Sequence, residues 1–542
     1  MRRAALPASD ICIVNANVIT MDDKSAVTEA LRLQDGVIAA VGKRDETLSL
    51  PGSPDIVDAE GRTVLPGLID AHAHLELLAY SWDIATDCRS TRVASVAEIV
   101  DVLRERADAT PPGEWVFGQG EHYQNLKLAE RRYPDRHDLD QVSKHHPVMY
   151  RASYHINVFN TRALERLGVD DTTPDAPGGR IERNLDGGAT GRTYDMFAAL
   201  GGPQPSVAAL ADGIKRVQQR YLAAGVTAVG DIPLHAAGLD ALITLAAVGD
   251  LRLRVSAYPK LPTVVVKDDI RSQRLQERLA GVDQAWLRLA GVKIFLDGGL
   301  TSGTAALYDH YPGKPGYYGE LAFADEEVCE IVRIVDSAGL QIAMHAIGDR
   351  ALDQGIDAIA ALSDADRSVT RHRIEHAGNM FMTAERVKRM AAAKVIPVPQ
   401  PAFILTTAAG YVNDLGRDRI GRIMPFRMLI DSGLCIPGNS DAIGITANQH
   451  RPFPAMQAAI DRRTQDGKLM ERDQALTVDE ALAMYTRWGA HAVNRDLDVG
   501  SIEVGKLADF VIIDCDPRMV GDLRELQVES TWVAGERVYV RE

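Results

Sequence analysis

Cysteine is scarce: the 542 residues hold five, Cys12, Cys88, Cys329, Cys435 and Cys515. None forms a C-x-x-C pair and the number is odd, which argues against a disulfide framework and fits a reducing compartment. Long apolar runs are also missing. No stretch approaches the roughly 18 consecutive apolar residues of a membrane span. The opening MRRAALPASD has two arginines but lacks the apolar segment of about 7–15 residues that marks a secretory signal. A cytoplasmic protein is the expectation. Lys/Arg-rich runs are absent, and 60 Lys+Arg against 75 Asp+Glu leave a formal net charge of −15, the wrong sign for a general nucleic-acid binder. The Gly-rich stretch PGGRIERNLDGGATGR lacks the G-K-[ST] ending of a phosphate loop and reads as turns in a β-hairpin. No internal repeat is evident.

What is present is an ordinary globular composition, 46% hydrophobic and 25% charged, long enough to bury a large core. Short β runs with Gly turns occupy both ends. LRLQDGVIAAVG places an Asp-Gly turn between two apolar runs, and LQVESTWVAGERVYVRE closes the chain in the same style. The middle alternates helical stretches with short apolar runs: LIDAHAH, GVTAVGDIP, LRLRVSAYP, LRLAGVKIFLDG, LQIAMHAIGD, RHRIEHAG, KVIPVPQP and LCIPGNSD. Eight β-α repeats predict an α/β fold, a (β/α)8 TIM-like barrel, over 67–84 plus 216–489. The ends, 1–66 plus 490–542, predict a split β-sandwich. The interval from His74 to GVTAVGDIP is far too long for a βα loop. With VASVAEIVDVLRERA helical and EWVFGQG and HPVMYRA strand-like, it predicts an α+β subdomain inserted at 85–215.

Several run ends carry residues that suit a divalent metal. His72 and His74 lie two apart on a strand and therefore share a face, so both imidazoles can enter one site. Lys293, inside the apolar LAGVKIFLDGG, is costly to bury as an ammonium. Burial lowers its pKa and frees the amine for reaction, for instance with CO2 to give a carbamate able to bridge two metals. His345, His376 and Asp441 each close a further run, on the barrel face where active sites are built. Each has an ordinary alternative: polar strand-end histidines, a lysine reaching for solvent, a helix N-cap at Asp441. Five run ends bearing His-x-His, Lys, His, His and Asp in order make the metal reading the stronger one. The other histidines, His122 and His450 among them, have no comparable setting and are read as surface or core residues. Tyr154 and Trp82 are candidate pocket walls, with ordinary packing as the alternative.

At PGLIDAHAH, KIFLDGG, HAIGDRA, RIEHAG and GNSDA the sequence resembles the amidohydrolase superfamily, and GSIEVGKLADFVIID is similar to the terminal segment of that family's split β domain. The long insertion is most similar to the branch containing N-substituted formamide deformylases. The resemblance implies two divalent ions, usually zinc. His72, His74 and Asp441 would hold the buried one, His345 and His376 the second, and carboxylated Lys293 would bridge them. It implies hydrolysis of an amide or N-formyl C–N bond in a small molecule, with Asp441 shuttling the proton. His155, in RASYHINVFNTRAL, matches the branch's substrate-facing histidine, and a homodimer is a family expectation. One stretch departs: Gly120-Glu121-His122-Tyr123 stands where an aromatic-acid pair is expected, so the substrate pocket differs from a deformylase pocket. The same water chemistry also serves carbamates, ureas and esters, and a metal-assisted isomerase is a further alternative. A metal-free binding protein would lack the ligand set.

Overall fold

The computed structural model describes residues 10–176, 178–362 and 371–542. The start of the opening segment, 1–9, and Pro177 of the Gly-rich stretch lie outside them. Chirality and turn chemistry shape both ends of the chain. Asp35 (φ 51°) and Gly36 (φ 79°) join Ala30–Gln34 to Val37–Gly42 as an antiparallel hairpin. Both turn residues have positive φ, as the strand twist demands of a two-residue turn. Ala534 (φ 52°) and Gly535 (φ 73°) do the same between Val528–Val533 and Glu536–Val540. One four-stranded sheet is built from residues 10–58 alone. A six-stranded sheet draws Asn17–Ile19, Val27–Thr28 and Thr63–Pro66 from one end of the chain and 510–540 from the other, with Thr63–Pro66 paired antiparallel to Phe510–Ile513. Ile13, Leu31, Val64, Phe510 and Trp532 pack into one apolar cluster between these strands.

The central part contains two four-stranded parallel sheets. One runs in the order Leu287–Leu289, Arg254–Ala257, Val226–Asp231, Leu68–Ala73. The other runs Gly291–Phe295, Gln341–His345, Arg373–Glu375, Ile396–Val398. The strands are buried almost throughout, the signature of a parallel sheet covered on both faces. Amphipathic helices lie between them, such as Val207–Ala223, capped by the Ser206 hydroxyl, and Ala384–Ala392, capped by Thr383.

Two sequence expectations change here. The run LRLAGVKIFLDG is not one strand but two, which belong to different sheets. Ala290 sits at the change: its N–H donates to Ala257 O (3.0 Å) while its carbonyl accepts from Gln341 N (3.1 Å). Gly291 follows because a Cβ there would stand 2.0 Å from Gln341 O. The run LCIPGNSD forms no strand. Pro437 has no N–H to give a ladder. The segment is tied instead by single bonds, Ala71 N to Gly438 O (3.0 Å) and Asp441 N to His72 O (2.9 Å) on one side, Asn439 Nδ2 to Pro399 O (2.6 Å) on the other. It therefore lies between the Leu68–Ala73 strand and the chain that follows Ile396–Val398.

Residues 86–194 contribute a six-stranded mixed sheet, with the helix Val96–Asp108 on it and its own apolar cluster. The Gly-rich stretch forms an antiparallel hairpin, Arg180–Arg183 with Ala189–Tyr194. Among the described residues, no helix is long and apolar enough to cross a membrane.

Candidate metal centre

Period-two geometry brings His72 and His74 together at the end of the Leu68–Ala73 strand. Their Nε2 atoms are 3.2 Å apart, and Asp441 Oδ1 lies 3.3 Å from each. Three ligand atoms at this spacing form one face of a tetrahedron whose centre is about 2.0–2.1 Å from each, the bond length of zinc to nitrogen or oxygen. Among the described residues this is the one group of three His, Cys, Asp or Glu ligand atoms that close together. The histidines are almost wholly buried, and the Asp441 side chain is 17% exposed.

Hydrogen bonding sets which nitrogen each histidine offers. His74 Nδ1 faces a carbonyl, Ile232 O (3.1 Å), and so must be the donor, leaving an Nε2 lone pair. His72 Nδ1 meets Glu375 Oε2 at 2.5 Å, with the same consequence. Glu375 is held by Arg373, whose Nε is 2.5 Å from Oε1, and both side chains are fully buried. Burial opposes ionisation of Glu375, but Arg373, His72 and Lys293 outweigh it and keep the carboxyl well below its usual range. Burial likewise works against charge on Asp441, and His72 and His74 outweigh it, so this carboxyl too stays ionised.

His376 Nδ1 is 2.7 Å from Gln400 Oε1, which also accepts from Asn379 Nδ2 (2.6 Å), while Gln400 Nε2 donates to Val398 O (2.8 Å). That arrangement makes His376 Nδ1 the donor and frees Nε2. Burial pushes its pKa down to about 3. His345 lies across from it, ring centroids 4.6 Å apart, and stacks on Phe295 at 4.6 Å and 13°. Its Nε2 is 3.3 Å from the Gly298 carbonyl, so Nδ1 is the free nitrogen there. Lys293 is fully buried, its Nζ has no hydrogen-bond partner, and burial lowers its pKa to about 8.

Backbone strain accompanies two of these residues. His376 (φ 70°) and Asp441 (φ 47°) occupy the left-handed region, which costs a non-glycine residue about 1–3 kcal/mol. Each is pinned by an N–H bond to a neighbouring segment, His376 to Val398 O (3.0 Å) and Asp441 to His72 O (2.9 Å).

All six side chains line one cavity of about 70 Å³, together with Tyr154, His155 and His122. Tyr154 and His155 form the tip of the Val148–Ser153/Ile156–Phe159 hairpin, so the long insertion reaches over the strand ends. His155 Nδ1 bonds Asp195 Oδ1, and Asp195 Oδ2 accepts from Ser302 (3.1 Å) and from Thr304. Burial disfavours the imidazolium, but Asp195 more than offsets this and raises the His155 pKa. Trp82 is not in this cavity. It lines a second, larger one of about 990 Å³, which shares His122 and Thr407 with the first. His122 and His450, read from sequence as surface or core residues, line these cavities. Sequence reasoning also passed over Glu375, Gln400 and Asp195. Glu375 had a signal: Arg373 and Glu375 are two apart on an apolar strand, so a buried charge pair faces the interior there.

A model of the amidohydrolase family matches residues 55–539. The chain is 32% identical, over an alignment 561 positions long, to the N-substituted formamide deformylase of Arthrobacter pascens, covering 98% of each chain. It is similar in structure to an uncharacterized metal-dependent hydrolase from Pyrococcus horikoshii, with TM-score 0.76 and 27% identity over 95% of this chain and 99% of that one. It shares its fold with the atrazine chlorohydrolase TrzN from Arthrobacter aurescens, a structure complexed with zinc (TM-score 0.56, 16% identity, 97% and 95% covered). A convergent, buried ligand set on an α/β framework, and a family match over nearly the whole length, lead to one statement: the chain belongs to the amidohydrolase family and is a metal-dependent hydrolase of carbon–nitrogen bonds other than peptide bonds.

Proposed function

We propose that the protein hydrolyses the C–N bond of a small N-acyl or N-formyl amine at a two-cation centre, with His72, His74 and Asp441 on one ion, His345 and His376 on the other, and carboxylated Lys293 between them. The observation that carries this reading is the 3.2–3.3 Å triangle of His72 Nε2, His74 Nε2 and Asp441 Oδ1, each histidine held by a bond on its other nitrogen. Lys293 supports the bridge. An unpartnered buried ammonium among metal ligands would repel a cation, whereas its carbamate is an anion with two donor oxygens. The eight runs from Leu68 to Asp441, joined at Ala290 and around Gly438, are read as one barrel (67–84 plus 216–489). Residues 1–66 plus 490–542 are read as a β-sandwich and 85–215 as the insertion that closes over the barrel mouth.

A divalent cation in such a site supplies Lewis acidity, lowering the pKa of water towards about 7. Asp441, ionised and partly open to the cavity, takes a proton from the attacking water and returns it to the leaving nitrogen as the C–N bond breaks. Asp195 fixes His155 with Nδ1 engaged and favours its imidazolium, so Nε2–H is a donor for the oxygen that gains charge at the carbonyl. Tyr154 and Phe295, with rings 6.2 Å apart, form an apolar wall beside the reacting group. The test is hydrolysis of formanilide, acetanilide, a carbamate and an aryl urea by the zinc-loaded enzyme. Formanilide is expected to be the best substrate, with activity abolished by chelation and restored by zinc. Undiminished turnover after complete metal removal, or no hydrolysis of any of the four, contradicts the reading.

A further inference from the structure

The two cavities differ in size and charge. The inner one measures about 70 Å³, whereas the outer one measures about 990 Å³. They share His122 and Thr407 in their linings, and the segment after Asp441 contributes to both: Ile443 lines the inner cavity, His450 and Arg451 the outer. His122 Nδ1 is buried with no hydrogen-bond partner.

In a chain of net charge −15, the outer lining carries five Lys and Arg residues against two carboxylates. Both carboxylates are already engaged, Asp87 with Arg89 (2.7 Å) and Glu121 with Lys127 (2.6 Å), and Arg541 pairs with Glu529 (2.8 Å). Arg220 and Arg451 are left without a carboxylate partner among the described residues. Arg220 is exposed but held against a ring. Its guanidinium lies 4.4 Å from the centre of the Trp82 ring, and Trp82 packs edge-on to His450 at 5.3 Å. A guanidinium over an aromatic face is held there by the ring's electrostatics, while its N–H groups can still bond an anion. Arg220, Arg451 and His450 line the same cavity; burial, with the two arginines near it, pushes His450 down to about 4, so it adds no charge.

We propose that this outer cavity is the subsite for a carboxylate on the amine side of the substrate, held by Arg220 on Trp82 with Arg451, and that the substrates are accordingly small-acyl, above all N-formyl, derivatives of amino-carboxylates. This rests on the C–N hydrolase reading above for the acyl end and on the outer cavity alone for the carboxylate end. It gives the departure at Glu121-His122 a consequence: His122, common to both linings, stands beside the polar tether that reaches the cationic chamber.

The two ends are tested separately. ω-Formamidohexanoate and its neutral carboxamide serve for turnover. The matching aldehyde isosteres, with CH2 in place of the amide N–H, serve for calorimetric binding to the zinc-loaded full-length enzyme. At low salt the carboxylate isostere is expected to bind about tenfold tighter than the neutral one, the size of a charge-assisted hydrogen-bond gain, with the preference shrinking as salt rises. Arg220→Gln and Arg451→Gln, exposed positions whose variants should keep melting temperature and zinc content, should each reduce that preference. Equal affinity for the two isosteres, no binding of the carboxylate form, or a preference untouched in both variants overturns the subsite. A binding preference with neither formamide hydrolysed upholds the subsite and removes the C–N reading. Hydrolysis of both formamides without preference upholds that reading and removes the subsite.

Discussion

The two halves of the centre are built to different tolerances. Around His72 and His74 each histidine is locked by a bond to a fixed acceptor, one of them a carboxylate in a buried ion pair, and three ligand atoms already converge. Around His345 and His376 only His376 has a short bond, to a neutral amide. His345 rests on a 3.3 Å contact and a ring stack, and the Lys293 amine has no hydrogen-bond partner. The lesson is that the first half is pre-organised by its second layer of hydrogen bonds, while the second half, on the proposed reading, depends on carboxylation of Lys293.

The most severe break removes the proton carrier that the first half holds. Asp441→Asn keeps an oxygen ligand and the fold, and turnover of formanilide should fall by about 10²–10⁴-fold, the usual worth of a general acid-base group, with zinc content little changed. A variant with wild-type turnover would contradict the assigned role. Next comes the bridge. Lys293→Ala should lower bound zinc from about two ions per chain to about one, because deprotonated donors, not ammonium groups, hold cations. Metal analysis after gel filtration reads this directly, and an unchanged two ions would show that the second half needs no bridge. The finest comparison sets the two supporting bonds against each other. Glu375→Gln should weaken zinc binding by about 10–100-fold through His72. Gln400→Leu should cost less than about tenfold through His376, since a neutral hydrogen bond is worth about 1 kcal/mol. Competition with a fluorescent chelator measures both, and a larger loss in Gln400→Leu would reverse the proposed ranking.

The six candidate ligands, which the fold brings to one cavity, were legible because period and position left few alternatives. His72 and His74 share a face by strand geometry, and His345 and His376 end apolar runs. What was not legible had specific causes. Glu375 stands beside His376 in sequence yet serves His72, a contact 303 residues away that requires the strand order. Asp195 and His155 meet only once the insertion has folded over the strand ends. His122 gives no periodic signal, and its place in the lining of both cavities follows only from the fold. Trp82, expected to line the pocket, lines the outer cavity, beneath Arg220. The run LCIPGNSD looked like a strand by composition, but Pro437 breaks the ladder and leaves a tethered loop that still delivers Asp441 to the site.

Anomalous scattering at the zinc edge from a crystal of the zinc-loaded protein is the most direct measurement. Two peaks are predicted: one about 2.0–2.2 Å from His72 Nε2, His74 Nε2 and Asp441 Oδ1, the other beside His345 Nδ1 and His376 Nε2, with continuous density from Lys293 Nζ between them. Full zinc occupancy elsewhere, with nothing between His72, His74 and Asp441, would contradict the account.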